Sequence, residues 1–524
     1  MHPDRLIPWL IRNTPRVPCL PSNPLDTGQG KRFNAHVHIV NIKEPNMSQA
    51  SISVSDDDDS VLSTATRRQA QATGNIFLEG PFAPVDRETT ATALQVTGSI
   101  PEELDGLYVR IGPNPLKAPQ DPRKYHWFTG DGMVHGVRLS GGEALWYRNR
   151  WIGSKSVQRK LGRDPVPGKT RGIFDTVNTN VYGHAGRVWA SVEAGPAPVQ
   201  LDSELTSVRH GLFDSEPTVP FTAHPHRDPV SGDLHAITYD AIQHKTLNYV
   251  RVSAKGQVDK IVRIPVKHGP MVHDCAITRS QVIVLDLPVT FSWWEMIKRS
   301  PFPYSWNPKH GARVGLLPRE GEASDIRWFD VDPCYVFHPC NAYDLPDGSV
   351  VLDVVVHQHM FDQSRIGPEA DTHPSFERWT LPAGGQRVVR EMISRRDQEF
   401  PRPDERRFAQ RYRYAYTVEF SVDMAGGQSV LKHDLDTRTT TEHRFAEHLK
   451  PGEFVFVPRR ADSAEDEGWL MGFVSNLNTG LGEYHVLDAS DLSAPASAVV
   501  QLPAPVPLGF HGNWVGAADL GGGR

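Results

Sequence analysis

Four of the chain's 23 histidines stand among apolar and small residues rather than among charges. They are His224 in FTAHPHRDP, His273 in GPMVHDCAIT, His338 in YVFHPCNAYD and His511 in GFHGNWV. A transition metal held by nitrogen needs several neutral imidazoles to converge, each oriented by a partner on its other ring nitrogen. Taken singly, a histidine in such a setting is more often a hydrogen-bonded core residue than a ligand. Other histidines compete for the same chemistry. His357 and His359 in VVVHQHMFD share one face of a strand, and His126 and His135 flank the glycines of YHWFTGDGMVHG. Asp131, between Gly130 and Gly132, reads as a turn residue. No Ser/His/Asp set or paired carboxylates points to nucleophilic or acid–base catalysis.

The four candidates are 49, 65 and 173 residues apart in succession, so only a fold that returns repeatedly to one place can unite them. From about residue 75 onward the pattern is short strands cut by turns. GHAGRVWASVEAG reads as a hairpin arm turning at Gly186, and YDLPDGSVVLDVVV carries an Asp-Gly turn into a β-branched run. DPVSGDLHAITYDAIQHKTLNYVRVSAKGQ holds two or three more strands. Helical periodicity is scarce, with FERWTLP and TFSWWEMIKRS the best candidates. An all-β propeller or large sandwich is predicted for 75–524, as a single domain, although no repeat is sharp enough to count blades. Residues 1–74, acidic and rich in Ser and Thr, are expected to be disordered, with Met47 an alternative start. Residues 286–308, DLPVTFSWWEMIKRSPFPYSWNP, cluster aromatics beside Lys298 and Arg299. They read either as a core-covering loop or as an apolar lip meeting a membrane or a lipophilic substrate.

Composition narrows the classes. A formal net charge of −6 without a basic run argues against nucleic-acid binding. The longest apolar run, VIVLDLPV, is far shorter than the roughly 20 residues of a membrane span, and LIPWLI near the N-terminus is too short and Pro-broken for a signal-peptide core. Four cysteines, none in C-x-x-C spacing, favour a reducing, cytoplasmic setting, peripheral to a membrane if the lip reading holds.

Seven motifs occur in a fixed order: GLYVRIGPNP, YHWFTGDGMVHGVRL, FTAHPHRD, MVHDCAIT, FHPCNAYD, EFPRPDERR…YRYAY and GFHGNWV. In this order, over about residues 75–516, they are similar to the carotenoid cleavage oxygenase family. The resemblance implies a seven-bladed β-propeller with a loop and helix cap over one face and Fe(2+) on its axis. It implies His224, His273, His338 and His511 as the ligands, and Glu193, Glu399 and Glu453 as the carboxylates that accept the outward N–H of three of them. Glu399, close to Arg402, Glu405 and Arg406, competes with an alternative reading as a surface salt bridge. His357 and His359 lie outside the family's ligand motifs and so read as structural.

The implied reaction is dioxygenation: O2 adds across a conjugated C=C bond and leaves two carbonyl products. No general acid is required. The family divides between carotenoid or apocarotenoid cleavers and phenolic-stilbene cleavers, in which a lysine precedes the first of the three glutamates. Here that residue is Val192, which offers a phenolate no partner, so a lipophilic polyene is the expected substrate. Val192, Phe291, Trp293, Trp294, Phe302 and Tyr304 are the expected tunnel residues. A non-catalytic propeller that binds a carotenoid or a protein partner is the alternative of another class, and an ester-cleaving isomerase sharing the iron site ranks last.

Overall fold

The computed structural model describes residues 73–520, apart from 173, 217, 370–371 and 422–425. Of the tail expected over 1–74, only Thr73 and Gly74 are among them, and the alternative start at Met47 lies outside the described residues. Among the described residues the chain forms seven sheets of four or five strands, plus one two-stranded hairpin. Every paired strand within them is antiparallel. This is a seven-bladed β-propeller.

Blade 1 opens with strand Asn180–His184, blade 2 with His226–Arg227, blade 3 with Ala276–Ile277 and blade 4 with Pro339–Asp344. Blade 5 opens with Gln398–Pro403 and blade 6 with Leu449–Pro458. Blade 7 uses both ends of the chain. Its first strand is the C-terminal Gly512–Gly516, and the others, beginning with Gly106–Pro113, come from the N-terminal side. The opening strands of blades 3, 4, 5, 6, 7 and 1 touch in that order and so ring one axis. Closure is double, because Gln95–Gly98 also adds to the edge of blade 6 through Ala498–Gln501.

Local chemistry explains the strands. Ala185 and Gly186 both take positive φ, 51° and 70°, in the two-residue turn that joins the first strands of blade 1. Val350–Val356 is buried at every position, as its β-branched run suits. The outermost strands Val389–Ser394 and Thr439–Arg444 instead carry exposed Arg, Glu and Thr, which discourages edge-to-edge pairing.

One helix expectation fails. FERWTLP lies in strand Ser375–Leu381, where Glu377, Trp379 and Leu381 bury one face while Arg378 and Thr380 are half-exposed on the other. Strands on both sides satisfy its backbone, and that pairing overrides a weak local preference. TFSWWEMIKRS does hold a helix, Trp293–Ile297, whose first turn is capped by the Ser292 side chain. The hairpin Val289–Phe291/Tyr304–Trp306 carries this helix at its tip. Among the described residues no helix is long and apolar enough to cross a membrane.

Candidate metal centre

The blade entries deliver the polar groups. His224, His273, His338 and His511 each precede the first strand of a blade by one to three residues, in blades 2, 3, 4 and 7. Glu399 and Glu453 sit on the first strands of blades 5 and 6, and Glu193 follows the second strand of blade 1. Residues scattered over more than half the chain therefore meet on the axis. The four imidazoles are buried and offer nitrogens that all lie within 4.8 Å of one another.

Three Nδ1 atoms point outward to carboxylates. His273 lies 2.9 Å from Glu193, His338 2.7 Å from Glu399 and His511 3.2 Å from Glu453. A carboxylate only accepts, so each Nδ1 carries a proton, and in the neutral ring each Nε2 presents a lone pair inward. The Nε2 of His273 is 3.2 Å from that of His338, which is 3.2 Å from that of His511. Facing lone pairs without a proton between them repel. The fourth imidazole, His224, has a buried Nε2 with no hydrogen-bond partner, and its Nδ1 stays 3.7 Å from Asp274. These observations fit a cation among the four nitrogens. Nitrogens about 2.1 Å from a metal and set at right angles lie about 3 Å apart, close to the spacing seen here.

Charge agrees with geometry. Three carboxylates bind the imidazoles directly, while one guanidinium, Arg402, backs them, at 3.1 Å from Glu453. Negative charge is in excess around the four imidazoles, which suits a cation; Asp274, 3.7 Å from His224, also contacts His226 at 2.8 Å. Burial holds His224 well below the usual imidazole range, with the neighbouring imidazoles adding to the effect. Burial likewise takes His511 down to about 4, against the pull of Glu453. Both are neutral near pH 7 and ready to ligate. For His338, burial is outweighed by Glu399, which raises it. Burial pushes Glu399 and Glu453 up, but the imidazoles hold Glu399 well below the carboxylate range, and Arg402 with His511 holds Glu453 at about 2.

Backbone distortions aim these carboxylates. Ala194 and Phe400, immediately after Glu193 and Glu399, have φ of 66° and 55°, which costs a residue with a side chain about 1–3 kcal/mol. The strands carrying Glu399 and Glu453 both slip register there. The surface salt-bridge reading of Glu399 therefore fails. It is buried and bonded to His338, His357 and the Phe400 N–H, whereas Arg402 turns to Glu453.

His357 was read from sequence as structural, yet its Nε2 lies 2.7 Å from Glu399. Nothing local in VVVHQHMFD signals this, since the partner is 42 residues away. His359 instead faces Glu369 at 3.5 Å. His126 stacks on Phe302 with centroids 4.3 Å apart, and His135 bonds Tyr147, so neither joins the cluster. Asp131 accepts from the Leu116 N–H and from Lys160, as a residue that holds a turn.

A cavity of about 750 Å³ reaches His273, His338 and His511. Phe128, Phe302, Phe337, Phe400 and Phe510 line it, as do Val192, Phe291, Trp293 and Tyr304. Trp294 does not; it is exposed, with Lys298 over its ring at 5.3 Å. Among the described residues, no lysine or arginine lines the cavity.

A propeller with four buried imidazoles converging on its axis, at the end of an apolar cavity, defines a class of metal-site enzyme. The family model for the retinal pigment epithelial membrane protein matches residues 82–516, and the chain belongs to this family, that of the carotenoid oxygenases. It is 41% identical over 500 residues to a carotenoid cleavage oxygenase of Mycobacterium tuberculosis, covering 86% of this chain and 99% of that protein. Among solved structures it resembles a lignostilbene dioxygenase of Pseudomonas brassicacearum, with a TM-score of 0.76, 25% identity, and 84% and 98% of the two chains covered. A mutant apocarotenoid oxygenase of Synechocystis matches with a TM-score of 0.73, 25% identity and coverage of 83% and 97%. The protein is an oxygenase.

Proposed function

We propose that this chain is a non-haem Fe(II) dioxygenase that cleaves one conjugated C=C bond of a carotenoid or apocarotenoid, consuming O2 and leaving a carbonyl on each fragment. The observation that carries the choice of substrate is the cavity wall. It is predominantly aromatic and aliphatic, with Asp240 and Glu419 among its few polar groups, Val192 stands next to Glu193, and no described lysine or arginine faces it. A phenolate would enter such a site without a counter-charge, at a cost in desolvation, whereas a polyene leaves no polar group unpaired.

His224, His273, His338 and His511 would hold the iron, with Glu193, Glu399 and Glu453 fixing three of the rings by accepting Nδ1–H. Bound there, ferrous iron supplies the one-electron chemistry through which O2 reacts with an electron-rich alkene. The protein's part is positional. Phe128, Phe302, Phe337 and Phe510 hold a flat conjugated chain against the histidines and keep water out. No side chain is needed to move a proton.

Incubating iron-loaded protein with an apocarotenal and with a hydroxystilbene, with products read by mass spectrometry, tests this. Aldehyde fragments are expected from the apocarotenal. Cleavage of the stilbene alone would overturn the choice of substrate, and less than about half an equivalent of iron after anaerobic reconstitution would favour a binding module.

The proposal extends to a membrane surface as the source of substrate. Trp293, Trp294 and Ile297 are exposed on the helix beside the cavity opening, next to Lys298. Such a cluster inserts into the headgroup region. Wild-type protein is expected to float with phosphatidylglycerol-containing vesicles, and Trp294→Glu/Ile297→Glu to stay behind. Equal flotation of both would remove this part of the reading.

A further inference from the structure

The three carboxylates around the histidine cluster have different second partners. Glu453 is backed by the Arg402 guanidinium, and both oxygens of Glu193 lie 2.9 Å from one donor, His273 Nδ1. Glu399 is gripped from both sides. Its Oε2 accepts from His338 Nδ1 at 2.7 Å and from the Phe400 N–H at 2.7 Å, and its Oε1 faces His357 Nε2 at 2.7 Å. His357 is itself held at its other ring nitrogen, where the Thr372 hydroxyl lies 2.8 Å from Nδ1. The ring is buried. Its backbone exchanges two 2.8 Å hydrogen bonds with Tyr335, and two residues earlier the Val355 N–H donates to the His338 carbonyl at 3.2 Å. Ligand and distal histidine are thus fastened to one piece of strand.

We infer that His357 is a positioning residue of the metal centre, donating Nε2–H to Glu399 and so fixing the carboxylate that orients His338. The chain of donors has one consistent direction. Glu399 can only accept, which puts the His357 proton on Nε2; Nδ1 then accepts from the Thr372 hydroxyl. Without His357, Oε1 is a buried anionic oxygen with no donor, and the carboxylate rotates toward whatever donor remains. His338 would lose its orientation without losing any contact of its own. Partners that orient a ligand directly, as Glu399 does, typically carry about 10–100-fold in affinity, and His357, one hydrogen bond further out, is expected at the low end of that range.

The inference rests on the four imidazoles holding a metal, and not on iron or on a polyene substrate. Cobalt(II) therefore serves as the probe, with full-length wild-type protein as the reference. His357→Phe removes the donor and keeps a buried ring. His357→Gln keeps an N–H near the Nε2 position. Wild type is expected to bind one cobalt(II) with visible d–d bands. His357→Phe is expected to bind about 10-fold more weakly, with the bands shifted, and His357→Gln to recover most of the loss. Thr372→Val, which removes only the hydroxyl that donates to Nδ1 and holds the ring, is expected to weaken binding in the same direction by less, and it serves if His357→Phe fails to fold. An unchanged affinity and spectrum in the folded variants overturns the assignment, as does an equal loss in His357→Phe and His357→Gln, which would mark a packing role. Failure of the wild type to bind cobalt(II) overturns the metal site itself, and this inference with it.

Discussion

Ending the chain at Leu508 is expected to abolish metal binding and substrate cleavage together. The last residues do two separable things. His511 supplies one of the four inward nitrogens, and Gly512–Gly516 is the first strand of blade 7, pairing Leu107 with Val515 and Tyr108 with Trp514. Gly509 passes so close to Gly112 that a Cβ on Gly112 would lie 2.8 Å from the Gly509 Cα. A Cβ on Gly512 would meet the Val109 carbonyl oxygen at 2.8 Å. Only glycine lets the chain reach the axis there. Phe510 is buried against Trp127, with ring centroids 4.5 Å apart. Truncation also strips partners from the site, because the Gly512 N–H donates to Glu453 and Arg402 donates to the Gly512 carbonyl. His511→Ala in the full chain isolates ligation from closure. It is expected to fold with a near-native unfolding midpoint and to hold no stoichiometric metal, whereas the truncation loses both. Metal content after anaerobic reconstitution, set beside a thermal melt, separates the two; full metal occupancy in either variant contradicts the site.

Glu453→Gln is the second large effect, expected to cost about 3 kcal/mol of folding stability in addition to metal affinity. Glu453 is buried, accepts from His511 at 3.2 Å and from the Gly512 N–H at 2.7 Å, and faces Arg402 Nε at 3.1 Å. That last contact is an ion pair at an angle too poor for a hydrogen bond, so its loss is chiefly one of charge. Neutralising the carboxylate leaves the guanidinium with the half-exposed Glu405 at 3.4 Å as its ion-pair partner, besides the Gly512 carbonyl and Asn513 Oδ1 that accept from it. Breaking a buried pair costs about 3–5 kcal/mol, and the low end applies because the Arg402 side chain keeps 17% exposure. Adding Arg402→Met should recover part of the stability and none of the metal affinity, since the one neutral amide oxygen of Gln must replace the two anionic oxygens that accept from His511 and the Gly512 N–H. Denaturant unfolding of the two variants checks this; a loss below about 1 kcal/mol in Glu453→Gln would show the pair to be solvated instead.

Much of the fold was legible because strand and turn signals are local. The β-branched run of Val350–Val356 and the Ala185-Gly186 turn act within a few residues, and the order of motifs carried the family. FERWTLP misled because a seven-residue segment between two partner strands takes its conformation from them. Motif matching could nominate His224, His273, His338 and His511. Composition could not, because 23 histidines include others equally apolar in context, such as His135 and His357.

What the sequence by itself determined is the set of short strands, the glycines at the closing strand and the chemical character of each candidate. Only the tertiary structure decided which polar groups meet. Glu399 has Arg402, Glu405 and Arg406 as chain neighbours, yet a slip in register turns it inward to His338 while Arg402 goes to Glu453. His357 joins the site through a contact spanning 42 residues, which no local pattern encodes. The reason is physical: a buried carboxylate or imidazole is stabilised by whichever donor or acceptor the closed ring brings within about 3 Å, and chain distance has no part in that energy.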